Sequence, residues 1–193
     1  MKIFIVDRKK MGVIFVVMGL MVVLFSVGIS LDSRIRTTAF IQNNLGALKE
    51  YYSSEHKIAY KLPAKWTTSR ENFTGGEILY HNNFNSQDNS IHGYVQIWNL
   101  QNDLKSFLQN SKVMSEIQNS AENFKISDTS INNNKGYLVT YKTKAADKTY
   151  NAFEYFIKYD NIFVRFSFYV ESDKLNSSMP AVFKAIVETI KYE

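Results

Sequence analysis

Apolar and polar positions follow three regimes along this chain. From Met11 to Leu31 twenty-one successive residues carry no charge, and at 1.5 Å rise per residue a helix of about that length just crosses a hydrocarbon layer of roughly 30 Å. From Asp32 to Glu55, Ile41, Leu45, Leu48 and Tyr52 recur at helical spacing, which predicts a stalk helix, although Gly46 weakens it. From Ile58 onward the period drops to two, the pattern of strands with one face buried. The expected organisation is a tail at 1–10, a transmembrane signal-anchor helix at 11–31, a helical stalk at 32–56 and an outer domain at 57–193.

Within the outer domain, Ile58, Tyr60 and Leu62 alternate with Ala59 and Lys61. Pro63, lacking an N–H, ends that strand and frees Trp66 to fold back as an apolar plug. Strands are expected at Glu77–Asn83 and Gly93–Leu100, joined through the polar loop Phe84–Ser90. A helix is expected at Asp103–Gln118 on the spacing of Leu104, Phe107, Leu108, Met114 and Ile117, with Asn102 or Asp103 as its cap. Strands follow near Phe124–Ile131 and Gly136–Lys144, around the turn-forming Asn132–Asn134 run. Between Tyr150 and Val170 the pattern specifies a hairpin turning at Asp160-Asn161, with Tyr159 opposite Ile162, Ile157 opposite Val164, Tyr155 opposite Phe166 and Phe153 opposite Phe168. A last helix, Met179–Tyr192, carries Pro180 in its first turn and a buried stripe of Val182, Phe183, Ile186, Val187 and Ile190. Strands interrupted by one helix and closed by another define an α+β domain: an antiparallel sheet packed with helices.

Charge fixes the expected topology. Lys2, Arg8, Lys9 and Lys10 precede the apolar run against a single Asp7. That places the N-terminus in the cytoplasm and the domain outside, in the cell membrane with a single pass. A cleaved signal peptide is the rival reading, with Ser26-Val27-Gly28 at a plausible cleavage spacing, but the run exceeds the usual apolar length of about 7–15 residues. The net charge of +5 falls to +2 once residues 1–31 are set aside, so the outer domain has no footprint for a polyanion and no nucleic-acid partner is expected. The absence of cysteine excludes a lipoprotein anchor, disulfides and thiolate chemistry.

The opening Tyr60-x-Leu62-Pro63-x-x-Trp66, the strand start Gly136-Tyr137, the aromatic hairpin through Asp160-Asn161 and the closing helix Phe183–Ile190 resemble the PsbP-like family. That family shares an α/β/α sandwich with a Ran-binding nuclear-import protein. The resemblance covers about Ile58 to Glu193 and implies a scaffold used mostly for protein binding, without a conserved active site. Plant members serve photosystem II; their ion-retaining N-terminal segment is replaced here by the stalk and membrane helix, so no binding residue carries over.

No nucleophile elbow, phosphate loop or His-Glu-x-x-His helix is present in the sequence. His81 and His92, with Asp88 in the loop between them, form the one trio that could ligate zinc if the hairpin set them opposite each other. Glu154 and Arg165 should be diagonal neighbours on the second face of the aromatic hairpin, a pairing that contributes a few tenths of a kcal/mol. On the same face Phe156, Phe163, Arg165 and Tyr169 form the candidate partner-binding patch unless a helix covers them. The expectation is therefore a membrane-anchored, extracytoplasmic, non-catalytic binding or scaffold module of a bacterial envelope, with a protein or envelope polymer as partner and no cofactor. The alternatives are an envelope hydrolase or metal-binding enzyme using His81 and His92, and a cystatin-like roll from a secretion or conjugation assembly.

Overall fold

The computed structural model describes residues 47–99 and 103–193, together with Met21. Apart from Met21, the expected membrane span Met11–Leu31 lies outside these residues, as do the tail and positions 32–46 of the expected stalk. Among the described residues no helix is long and apolar enough to cross a membrane.

A seven-stranded, wholly antiparallel sheet carries the domain. Its strands are β3 (Thr67–Glu71), β4 (Ile78–Asn85), β5 (Ile91–Asn99), β6 (Glu122–Ile131), β7 (Asn134–Ala145), β8 (Lys148–Tyr159) and β9 (Ile162–Glu171), in the spatial order β3-β4-β5-β9-β8-β7-β6. Helix α1 (Leu104–Ile117) interrupts the strands between β5 and β6, and α2 (Met179–Val187) follows β9. A second sheet of three strands places β2 (Ile58–Pro63) between β1 (Leu48–Ser53) and the two-residue β10 (Lys191–Tyr192).

The aromatic hairpin adopts the register its alternation specifies: Tyr159 faces Ile162, Ile157 faces Val164, Tyr155 faces Phe166 and Phe153 faces Phe168. Asp160 supplies the positive φ at the turn, 45°. The inner face so formed packs on α2 and β2. Phe168 stacks on Phe183 with centroids 4.5 Å apart, and Tyr60 meets Phe166 edge-on. The Tyr60 hydroxyl lies 2.8 Å from that of Tyr80 and accepts the Asn82 amide at 2.8 Å, tying the small sheet to the large one. At the β5–β9 crossing a Cβ on Gly93 would overlap the Ser167 carbonyl oxygen, so only glycine permits this approach.

Several boundaries differ from the pattern-based expectation. Residues 48–53 of the expected stalk helix are strand β1, paired with β2 along its whole length. Gly46 removes helical support just before it, and Tyr51 stacks on Tyr60 at 5.5 Å, so cross-strand aromatic packing outweighs the helical spacing. The last helix stops at Val187, and Lys191-Tyr192 pair with Ala59 and Ile58. β3 was invisible because Thr67–Glu71 has no apolar alternation. Trp66 stacks on Phe84 at 5.2 Å but is only half-buried. In α1, Leu104 and Leu108 are buried, whereas Met114 and Ile117, expected in the same stripe, are exposed. Phe107, Leu108, Ser111 and Ser115 of the helix line a cleft of about 280 Å³ against the sheet.

Candidate functional site

The outer face of the large sheet is where polar and aromatic side chains converge. Asp103 caps α1 by accepting the Ser106 N–H at 3.0 Å, and the helix then lays Leu104 and Leu108 over Val139, Phe156 and Phe163. Phe156 and Phe163 are each 2% exposed. The expected four-residue patch is therefore corrected: these two rings are a secondary core sealed by α1, and only Arg165 and Tyr169 stand at its open border.

Glu154 is the hub of that border. Its Oε1 accepts from Arg165 Nη2 at 2.7 Å, Tyr169 Oη at 2.9 Å, Tyr141 Oη at 3.1 Å and Ser167 Oγ at 3.2 Å. The Arg165 guanidinium is held between the rings of Tyr94 and Phe156, 5.1 and 5.3 Å from their centroids. Glu154 and Arg165 are diagonal neighbours, since Glu154 faces Ser167 and Phe156 faces Arg165. With side chains only 4% and 19% exposed, the pair is a buried strut, not the weak surface pair expected. Burial, and then the adjacent Glu154 carboxylate, push the Tyr141 and Tyr169 phenols up, so both act as neutral donors.

A second network crosses β3, β4 and β5. Trp98 Nε1 donates to Gln96 Oε1 at 2.8 Å, Gln96 Nε2 meets His81 Nδ1 at 2.8 Å, His81 Nε2 meets Asn83 Oδ1 at 2.8 Å, and Asn83 Nδ2 donates to Glu71 Oε1 at 2.7 Å. An indole N–H can only donate, so each polarity along the chain is dictated and His81 carries its proton on Nε2. Both imidazole nitrogens are thus occupied.

His92 is elsewhere. It pairs with Asn85, while His81 pairs with Gln96. The two imidazoles share a face but lie four residues apart along the strands, about 13 Å at ~3.3 Å per residue, far beyond a shared zinc ion. Asp88 is spent on the loop, accepting from Ser86 Oγ, Ser90 N and Ser90 Oγ. Among the described residues no group of three potential metal ligands comes together.

Beside these networks an open groove of about 490 Å³ runs across the sheet end that α1 leaves bare. His92 stacks on Tyr169 at 5.4 Å and meets Tyr150 edge-on at 5.2 Å. Burial holds the His92 imidazole below its ordinary range, with the carboxylate of Glu171 opposing the shift only in part. Tyr94, Tyr150, Asn85 and Ser69 also line the groove and were missed from sequence. The signal was present in β5, whose even positions His92, Tyr94, Gln96 and Trp98 form one polar-aromatic face against the apolar odd positions.

A helix-covered antiparallel sheet with α1 on one face and α2 on the other defines the class. The PsbP family model matches residues 46–178, and the chain belongs to the PsbP family. Among solved structures, cyanobacterial PsbP (CyanoP) of Synechocystis sp. PCC 6803 superposes with a TM-score of 0.57 at 10% identity, covering 76% of this chain and 93% of that one. A protein of Bacteroides thetaiotaomicron superposes with a TM-score of 0.51 at 15% identity, covering 75% of this chain and 48% of that one. No curated protein matches the chain. The family carries the fold, and with it the helix between strands that a cystatin-like roll would not place there.

Proposed function

We infer that the protein is a non-catalytic binding module of a bacterial envelope, carried outside the cell membrane by the single apolar helix of Met11–Leu31. One observation carries the non-catalytic reading. On the outer face, Glu154 and His81 are bonded into structural networks, and His92, the imidazole that lines the open groove, has no described hydrogen-bond partner to orient it and no acid, lysine or arginine among the groove's lining side chains. A general base works with an orienting partner and a paired acid or nucleophile; a binding surface needs aromatic area and unspent polar groups.

Tethering suits such a module, because confinement to one surface raises the effective concentration toward other envelope components without new contacts. The test uses the full chain in cells, with a photo-cross-linking residue at Asn85 or, as a control, at the exposed Met114. Capture of an envelope component from position 85 and not from 114 supports the reading. Equal or absent capture, or hydrolytic turnover by the purified chain, overturns it. Protease added to intact cells should digest residues 47–193 and spare the N-terminal tail.

A further inference from the structure

Polar side chains on the outer face fall into two populations. Those toward β3 and under α1 are bonded to one another, in the Glu71–Asn83–His81–Gln96–Trp98 chain and around Glu154. At the bare end, the side chains of Ser69, Asn85, His92 and Tyr150 line one groove and make no hydrogen bond to any described residue. They come from β3, β4, β5 and β8, so the sheet holds them on a rigid frame around the rings of His92, Tyr150 and Tyr169.

The chemistry of this set selects a ligand. None of the groove's lining side chains is an acid, a lysine or an arginine, and the charges flanking it are paired among themselves, Glu154 with Arg165 and Glu171 with Lys148 and Lys174. A charged ligand would therefore find no counter-charge. Hydroxyl, amide and neutral imidazole groups each donate and accept. A polyproline segment offers only carbonyl acceptors, and an extended peptide offers its alternating pairs to a strand edge, not to a sheet face. A sugar ring carries hydroxyls that donate and accept simultaneously, around an apolar C–H surface that packs on aromatic rings. A groove of about 490 Å³ is within the range of roughly 300–1,000 Å³ for small-molecule sites.

We propose that this groove is a glycan site, taking a neutral oligosaccharide segment with its hydroxyls on Ser69, Asn85, His92 and Tyr150 and its ring C–H faces against the groove's aromatic side chains. The site rests on the binding-module reading above and names its partner as an envelope polysaccharide.

The experiment is calorimetric titration of the full chain in phosphatidylcholine nanodiscs with three neutral tetrasaccharides: β-1,4-linked N-acetylglucosamine, β-1,4-linked glucose and α-1,4-linked glucose. At least one should bind with a millimolar or tighter Kd. Asn85→Ala, at an exposed strand end, and His92→Ala should each weaken it about tenfold, equivalent to about 1.4 kcal/mol; Met114→Ser should leave it unchanged. Circular dichroism of each variant verifies the fold. No binding by any of the three at millimolar concentration, binding that ignores both groove variants, or tighter binding of a proline-rich peptide would overturn the glycan site. Photo-capture of a protein from position 85 alongside failed titrations would leave the binding module standing without the glycan. Loss of both would remove the two together.

Discussion

Trp98 and Glu71 terminate the same hydrogen-bond chain, although the indole donor stands on β5 and the carboxylate acceptor on β3, with β4 between them. Because the first link can run in only one direction, the orientation of two amides and the tautomer of His81 follow from a residue that His81 does not touch. Nitrogen NMR of the imidazoles should show His81 with its proton on Nε2. Trp98→Phe should cost about 1 kcal/mol, the net value of one hydrogen bond, and keep the single Nε2 tautomer, because the Glu71 carboxylate only accepts and fixes the direction from the other end. Trp98→Phe combined with Glu71→Ala should give a mixture of tautomers, and a single tautomer in that double variant would mean that the direction is set elsewhere.

The Glu154–Arg165 strut predicts strong coupling. Arg165→Met leaves a carboxylate uncompensated among buried rings and should destabilise the domain by about 3–5 kcal/mol in urea unfolding. Adding Glu154→Gln should recover a large part of that loss, since removing both charges also removes their desolvation cost. Additive losses would contradict the strut. Charge reversal at Arg165 is accordingly a test of folding, not of partner binding.

Gly93→Ala inserts a methyl against the Ser167 carbonyl and the Phe84 ring. Both belong to the packed interior, so the expected loss is at the upper end of the roughly 1–3 kcal/mol typical of overpacking. Thermal unfolding of the variant measures it. A wild-type midpoint would show that β5 and β9 can separate without penalty.

Alkaline pH should unfold the domain. Burial pushes Tyr155 and Tyr159 up to about 12, and Tyr60, Tyr141 and Tyr169 also lie above their ordinary value of 10, in each case chiefly through burial. The unfolded chain therefore loses phenolic protons first, and stability is complete below pH ~10 and falls as pH rises above it. Tyrosinate absorbance should appear together with loss of circular dichroism. Titration of these phenols at their unperturbed value in a folded chain would refute this.

His92 has the opposite dependence. Its folded-state affinity for a proton is lowered, so the unfolded state binds the proton more readily below about pH 6.5 and the domain loses stability as pH falls through that range. His92→Gln should remove that part of the acid slope, as read by urea midpoints at successive pH values.

The aromatic hairpin was legible to the residue because a period-two pattern with a two-residue turn admits one register. The same logic failed where the decisive contact was distant. Nothing in Leu48–Ser53 announces its pairing with β2, and β3 has polar residues on both faces, held by β4 alone. Trp66 was legible as apolar packing but not in its degree of burial; because it is only partly buried, Trp66→Ala should cost less than the 3–5 kcal/mol typical of a sealed ring. The outer-face patch was half readable. Alternation placed Phe156, Phe163, Arg165 and Tyr169 together, but only the packing of α1 decides which of them meets solvent. The groove was unreadable as a site, since its uncommitted side chains lie on four strands and become a set only once the sheet order is known.

The β1–β2 hairpin gives the domain a mechanical property. Leu48 pairs with Pro63 at the open end, and Ser53 with Ile58 beside the turn. A pull on the chain at Leu48 therefore loads the ladder from its open end and breaks the pairs one after another, as in unzipping, instead of shearing all six at once. β2 stays behind, held by β10 and by the Lys61 N–H donating to Thr189 Oγ1 at 2.8 Å. Release of residues 48–57 pays out about 35 Å of extended chain while the seven-stranded sheet and its groove stay intact. The domain thus carries a force-sensitive extension at the point where the preceding chain enters it.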